Sequence, residues 1–220
     1  IDTSNVTNMT NMFQNCSSLI TVPLFDTSNV TNMNNMFNSC SSLTSVPQFN
    51  TSNVTNMGYM FQGCSGLTSV PELDFSNVTN MSYMFNNCSS LLELPNINCK
   101  KITSFDSWWY ASKTEKIGII DCSSVTNASY IFVSSTVMTD AGGCRNLGMQ
   151  SSVSNTNGKY FLYNVPNLTY ESLINIFNLL YDRASAGYSV LTLKLHPTQM
   201  EKLSDDDKLI AINKGWSLTV

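Results

Sequence analysis

"FDTSNVTNMNNMFNSCSSLTSVP", residues 25–47, carries a single charged side chain, Asp26, and starts again in near-copy at Phe49. Successive copies are 24 residues apart, and a fixed period of roughly 20 to 50 residues is the mark of a solenoid, propeller or array. Laid in that frame, one apolar column reads Val6, Val30, Val54, Val78, Ile102, and the next Met9, Met33, Met57, Met81, Phe105. Further columns read Met12, Met36, Met60, Met84; Phe13, Phe37, Phe61, Phe85; Cys16, Cys40, Cys64, Cys88; and Leu19, Leu43, Leu67, Leu91. Pro23, Pro47, Pro71 and Pro95 close the units, each followed two residues on by Phe25, Phe49, Leu73 or Ile97. Almost no residue that reads as buried falls outside the period.

Within a unit the spacing changes character. Met33, Met36, Phe37 and Cys40 fall at i, i+3, i+4, i+7, which predicts one face of a short helix of about two turns, with Thr31 or Asn32 as its cap. Leu43, Val46 and Phe49 are spaced by three and Pro47 interrupts them, which predicts a brief strand bordered by turns, with "DTSN" as the corner into the next unit. One unit cannot bury its apolar face alone. Stacked on its neighbours, with strands about 4.8 Å apart, it contributes one slab of a continuous core.

Composition narrows the function classes. At 220 residues and 42% hydrophobic the chain can bury a sizeable core, but only 12% of it is charged, about half the usual share. Residues 1–99 contain no Lys or Arg and five acids (Asp2, Asp26, Glu72, Asp74, Glu93), while all 11 basic residues lie between Lys100 and Lys214. A neutral surface of hydroxyls and amides is a poor match for phosphate backbones, which argues against nucleic acid. No apolar run approaches the roughly 18 residues of a membrane span, and no charged-then-apolar leader opens the chain. Ile1 occupies the column of Phe25 and Phe49, so the first coil starts mid-repeat without a polar cap. The expectation is a part of a longer polypeptide, with any signal or anchor outside this sequence.

The stretch "CSSLTSVPQFNTSNVTNMGYMFQGC", Cys40 to Cys64, resembles the BspA-like bacterial surface branch of the leucine-rich repeats, whose units run Cys-x-x-Leu-x-x-Ile and later reach Phe-x-x-Cys. Four units between Ile1 and Pro95 match. The resemblance implies a right-handed leucine-rich-repeat-like solenoid, an α/β repeat with short helices and short parallel strands. It also implies a secreted or cell-surface bacterial protein that binds other macromolecules without catalysis. Similar repeats occur in lipoproteins and phage-associated proteins, so no ligand follows from it.

Beyond the regular units, residues 1–97, the pattern degenerates over 98–150. "CKKITSFDSWWYASKTEKIGI" keeps Ile102, Phe105, Trp108 and Trp109 in apolar columns but has Ser112 in place of the Cys, and "IDCSSVTNASYIF" restores the motif one residue early, with Val125, Ala128, Ile131 and Phe132. Residues 151–220 read as a capping region. "SSVSNTNGKY", 151–160, is turn-rich. "LTYESLINIFNLLYDRA" places Leu173, Ile176, Phe177, Leu180 and Tyr181 on one helical face behind a Thr169 cap, and "SVLTLKL" alternates as a strand. Ser204 caps a helix opening with Asp205, Asp206 and Asp207, and Gly215 precedes the strand "WSLTV". The expected closing order is αβαβ.

Little in the sequence points to chemistry. Seven cysteines make an odd count. Cys16, Cys40, Cys64 and Cys88 would stack in register with parallel side chains, which suits a buried ladder of free thiols better than disulfides. Cys99 and Cys122 share the column of Thr3, Thr27 and Thr51, so a bond between them stays open. No Cys-x-x-Cys exists, which argues against a metal, and no cofactor is implied. His196 precedes Pro197 at a strand-to-helix turn, which suits a structural role rather than a triad, and the three aspartates need only the helix start to explain them. Sequons at Asn5, Asn29, Asn53 and Asn77 recur because the repeat does.

The candidate binding surface is the row Thr7, Thr31, Thr55, Thr79, together with Trp108 and Trp109, whose bland reading is core packing. The favoured function is adhesion: a rigid row of Ser, Thr and Asn presented to a protein or glycan on a host or neighbouring surface. The alternative is an architectural spacer or phage-particle component, and a more remote third is ice binding through the threonine row. An enzyme is the least favoured class.

Overall fold

The computed structural model of the chain describes residues 1–103, 108, 113–126, 138–147 and 165–220. Phe105, Trp109, Ser112, Ala128, Ile131, Phe132 and the loop expected at 151–160 lie outside them. Residues 1–24, 25–48, 49–72 and 73–96 are referred to as coils 1 to 4.

The helix expected over Met33–Cys40 is instead a run of tight turns. The physical reason is the backbone at Asn35 and Ser39, with φ of 55° and 62°, matched by Asn11 and Asn15, Tyr59 and Gly63, Tyr83 and Asn87. Two left-handed residues four apart in each coil stop helix propagation, because a right-handed helix cannot continue through a residue at positive φ. Amides then divide into two sets. Those of Met33, Asn35, Phe37 and Ser39 donate to the carbonyls of Asn56, Gly58, Met60 and Gln62 in the next coil, at 2.7–3.0 Å. Those of Met36, Asn38 and Cys40 close three-residue-back turns on Met33, Asn35 and Phe37. The turn run produces the same i, i+3, i+4, i+7 burial as a helix, which is why the two look alike in sequence.

Side chains replace the missing intra-coil bonds. Asn32 Oδ1 accepts from the Asn34 amide at 3.0 Å, and Asn8, Asn56 and Asn80 repeat the contact with Thr10, Gly58 and Ser82; this is the Asx turn that favours Asn at such corners. At the "DTSN" corner Asp26 accepts from the Ser28 amide at 3.0 Å, while Thr27 Oγ1 donates to Asn50 O of the following coil at 2.9 Å. The strand expected near Leu43–Phe49 does not form a ladder. Parallel pairing between one and another of coils 1 to 4 is reduced to isolated bridges Asn8↔Asn32, Asn32↔Asn56 and Asn56↔Asn80, and the outer segments touch through single bonds such as Thr44 N to Ile20 O at 3.1 Å. Prolines that lack a donor recur at 24-residue intervals on that side.

Inside the coils the columns stack. Phe13, Phe37, Phe61 and Phe85 lie 5.5, 5.7 and 5.7 Å apart, nearly parallel, and Trp108 continues the row at 6.2 Å. Met33, Met36, Phe37, Cys40 and Leu43 are fully buried, and one apolar cluster runs from Met9 to Trp216.

The spacing persists into the irregular region. β1 (Glu93–Leu94), β2 (Lys116–Ile117) and β4 (Asp140–Ala141) form a parallel sheet, and β3 (Ile120–Asp121) pairs with β5 (Cys144–Arg145). Partners such as Lys116↔Asp140 and Ile120↔Cys144 keep the one-coil offset. Gly142 lets these coils close up, since a Cβ there would sit 2.7 Å from the Gly118 carbonyl carbon.

Helix α1 (Tyr170–Leu179) packs on β4 and β5. Thr169 caps it, and buried Ser172 bonds to the Ala141 amide at 2.7 Å and Asp140 Oδ1 at 2.8 Å. The chain continues through β6 (Leu191–Lys194), α2 (Pro197–Met200), α3 (Asp205–Asn213) and β7 (Trp216–Thr219), with β6 and β7 parallel. The order differs from αβαβ by α2, a single turn started by His196 and Pro197. Ser204 and Asp207 form a reciprocal capping box at α3. Lys214 Nζ donates to Asn178 O at 2.6 Å and Leu180 O at 3.1 Å, tying α3 to the end of α1.

Two substitutions test the coil. Phe61→Ala, which empties a fully buried site in the aromatic row, is expected to cost about 3–5 kcal/mol in urea unfolding. Gly63→Ala has room for its Cβ but must hold φ of +71°, so it should cost about 1 kcal/mol, with Gly63→Asn costing less.

Candidate binding face

Thr7, Thr31, Thr55 and Thr79 are all exposed and follow one another coil by coil. Each of the last three hydroxyls donates to the carbonyl of the preceding threonine, at 3.2, 3.2 and 3.1 Å, beside the backbone bond to the same oxygen. The hydroxyl proton is thus turned into the stack, and the lone pairs face out. The row presents acceptors. The sequon asparagines behave similarly: Asn29, Asn53 and Asn77 each donate from Nδ2 to Ser4, Ser28 and Ser52 carbonyls at 2.7 Å.

Trp108 is corrected as a contact residue. Its side chain is 1% exposed and ends the phenylalanine row against Phe85, so it is core. Trp109 lies outside the described residues.

A pair with no role in the sequence reading stands out. Tyr59 and Tyr83 occupy the left-handed column that holds Asn11 and Asn35 in coils 1 and 2. Their rings stack at 5.1 Å and 9°, half-buried. The signal was legible as a replacement of Asn by Tyr at one position in two successive units. A bulky side chain at positive φ carries backbone strain of order 1 kcal/mol, the kind of outlier from which a functional hypothesis is fairly drawn.

The thiol ladder is uneven. All seven cysteines are free, Cys99 and Cys122 included. Cys40, Cys64 and Cys88 are buried, and each Sγ donates to a carbonyl in the preceding coil, Phe13, Phe37 and Phe61, at 3.0 Å. Cys16 departs from the expected buried ladder: it is exposed. Burial pushes the Cys40 thiol up to about 11 and the Cys64 thiol up to about 12, because the thiolate would be stripped of water.

Chemistry elsewhere is sparse. An apolar recess of about 510 Å³ lies between β7 and α3, lined by Val190, Met200, Ile212, Trp216 and Leu218, with Lys208 at its edge. His196 caps α2, its Nδ1 accepting from the Thr198 amide. Asp207 serves the capping box and Asp205 pairs with Lys208 at 3.1 Å, so the aspartate run is accounted for by the helix start. Among the described residues no group of three His, Cys, Asp or Glu side chains is arranged to hold a metal ion, and no helix is long and apolar enough to cross a membrane.

The family described as "Mycoplasma protein of unknown function, DUF285" matches the chain over residues 1–95 and again over residues 67–155. The chain belongs to this family. Two overlapping matches are what a 24-residue period produces, since one pattern can be laid along the repeats in more than one frame, and the second carries the family into the irregular coils. No curated protein and no solved structure matches the chain.

The buried thiols make stability pH-dependent. A thiol whose folded pKa lies above its unfolded value favours folding below the unfolded pKa and loses that contribution as pH rises towards the folded one. Stability should therefore fall between pH 9 and 12 through Cys40 and Cys64, by at most about 1.4 kcal/mol per pH unit for Cys64. Cys64→Ala should flatten the slope relative to the parent protein; equal slopes in chemical denaturation would contradict the assignment.

Proposed function

We propose that this chain is a non-catalytic binding module of a secreted or cell-surface bacterial protein, built as a right-handed leucine-rich-repeat-like solenoid of the BspA-like kind and contacting a glycan or protein on another surface. The observation that carries the reading is the neutral face of coils 1 to 4. Exposed threonines recur at one-coil spacing, and residues 1–99 hold no cation, so recognition there rests on hydrogen bonds and not on charge. The threonine row supplies acceptors. Tyr59 and Tyr83 supply two phenolic hydroxyls in register, with no hydrogen-bond partner among the described residues. A partner rich in both donors and acceptors, such as a polyhydroxylated glycan, suits that combination.

The alternative is an architectural spacer or a phage-particle structural component. The inward hydrogen bonds of the threonines favour it, because the same side chains that could meet a ligand already hold the coils together.

A glycan and matrix-protein array separates the two. Binding is expected for the parent protein, weakened at least about 10-fold by Tyr59→Phe with Tyr83→Phe, at unchanged melting temperature. An array without hits would sink the adhesion reading and favour the spacer.

A further inference from the structure

The corner that opens each regular unit is a turn that satisfies itself. Asp26 Oδ1 accepts from the Ser28 amide at 3.0 Å and the Ser28 hydroxyl at 2.7 Å, Asn50 does the same for Ser52 at 3.2 and 2.8 Å, and Asp74 takes the Ser76 amide at 2.8 Å. Acceptor and donor lie two residues apart, as in any Asx turn. The same column runs on past coil 4. Asn98 falls 24 residues after Asp74, Ile97 bridges to Ile120, and Asp121 pairs with Arg145, so Asn98, Asp121 and Arg145 follow one another coil by coil.

Here the chemistry of the corner changes. Lys100 stands in the column of Ser28, Ser52 and Ser76, and Arg145 stands in that of Asp26, Asp74 and Asp121, so two charged donors replace a hydroxyl and an acceptor. Both cations are exposed, and neither forms an ion pair among the described residues. They converge on one polar recess of about 300 Å³, which Asn96, Asn98 and Asp121 also line. Asn96 Oδ1 is occupied by the Ile119 amide at 2.7 Å, which leaves its Nδ2 as a donor. Asp121 Oδ1 is occupied by the Ser123 amide at 3.0 Å, which leaves the second carboxylate oxygen as an acceptor.

We infer that this recess is a binding site for a uronic acid, a sugar ring that bears one carboxylate. Lys100 and Arg145 against Asp121 leave a net charge of +1 in the recess, which a single carboxylate neutralises. The Arg145 guanidinium offers a planar fork that matches a carboxylate through two parallel bonds, and Lys100 adds a point charge beside it. Ring hydroxyls both donate and accept, which suits the remaining Asp121 oxygen and the amides of Asn96 and Asn98. A dianionic phosphate fits less well, because its second charge would face Asp121. The volume agrees with one ring, since it lies at the lower end of the roughly 300–1,000 Å³ of small-molecule sites. No member of the threonine row lines the recess, so the site is separate from the neutral face and works by charge where that face does not.

Titration of the chain with D-glucuronate, followed by NMR, tests the site. The side-chain amides of Asn96 and Asn98 and the Arg145 Nε–H should shift in a saturable way, and affinity should fall by at least about 10-fold in Arg145→Gln and in Lys100→Gln. Lys101→Gln removes a neighbouring cation that bonds to Asn77 and does not line the recess, so it should leave affinity unchanged. Both recess cations are exposed, and the Arg145 carbonyl keeps its bond from the Cys122 amide, so the melting temperature should stay at the parent value. Glucose, which lacks the carboxylate, and inorganic phosphate, which lacks the ring, should each bind at least about 10-fold more weakly than glucuronate. No saturable shift with glucuronate, equal or tighter binding of glucose or phosphate, or undiminished affinity in either recess variant overturns the inference.

Discussion

The structure depends on where the amides of Met33, Asn35, Phe37 and Ser39 point. Bonded to Met60 and its neighbours one coil away, they commit each unit to its successor and leave it only short turns of its own. A coil taken alone would have a few short turns, a fully exposed apolar side and half its backbone unpaired, which folding could not support. Stability is therefore a property of interfaces between coils, as expected for quasi-one-dimensional arrays. The two left-handed residues in each coil, Asn35 and Ser39 in coil 2, are the local condition for it, since they interrupt the helix that would otherwise take up those amides.

The same constraint explains the composition. Asn serves three separate purposes: at Asn35 it accepts a left-handed backbone, at Asn32 it closes a turn on Asn34, and at Asn29 it reaches the Ser4 carbonyl. Each is a contact that Lys or Glu could not make in so little space. Thr27 and Thr31 bond in opposite directions, to the coil after and the coil before. The scarcity of charge in residues 1–99 follows from this use of short polar side chains for joining coils, and the neutral face is its by-product.

Apolar columns were legible because burial at one-coil intervals imposes identity at one-coil intervals: Phe37, Phe61 and Phe85 must match to stack. The turn run was not legible as such, because Met33, Met36, Phe37 and Cys40 show the spacing of a helix face and only the φ values of Asn35 and Ser39 distinguish the two. The exposed threonine row could be placed from its period. The direction of its protons could not, since a hydroxyl donates equally well outward or inward until the neighbouring carbonyl is located. Trp108 was ambiguous between core and surface because its column was already degenerating. Tyr59 and Tyr83 replace a polar residue in their column, and only the backbone shows that the replacement is strained. In the last third, the caps at Thr169 and Ser204 were readable from local chemistry alone, whereas α2, a single turn held by His196, leaves almost no pattern.

The account turns on inter-coil bonding in place of helical bonding, and couplings across hydrogen bonds measured by NMR distinguish these directly. The Phe37 amide nitrogen should couple to the Met60 carbonyl carbon, with Met33 to Asn56 and Asn35 to Gly58 in the same set. Coupling from Phe37 to the Met33 carbonyl, four residues back in its own coil, would show a helix and contradict the account.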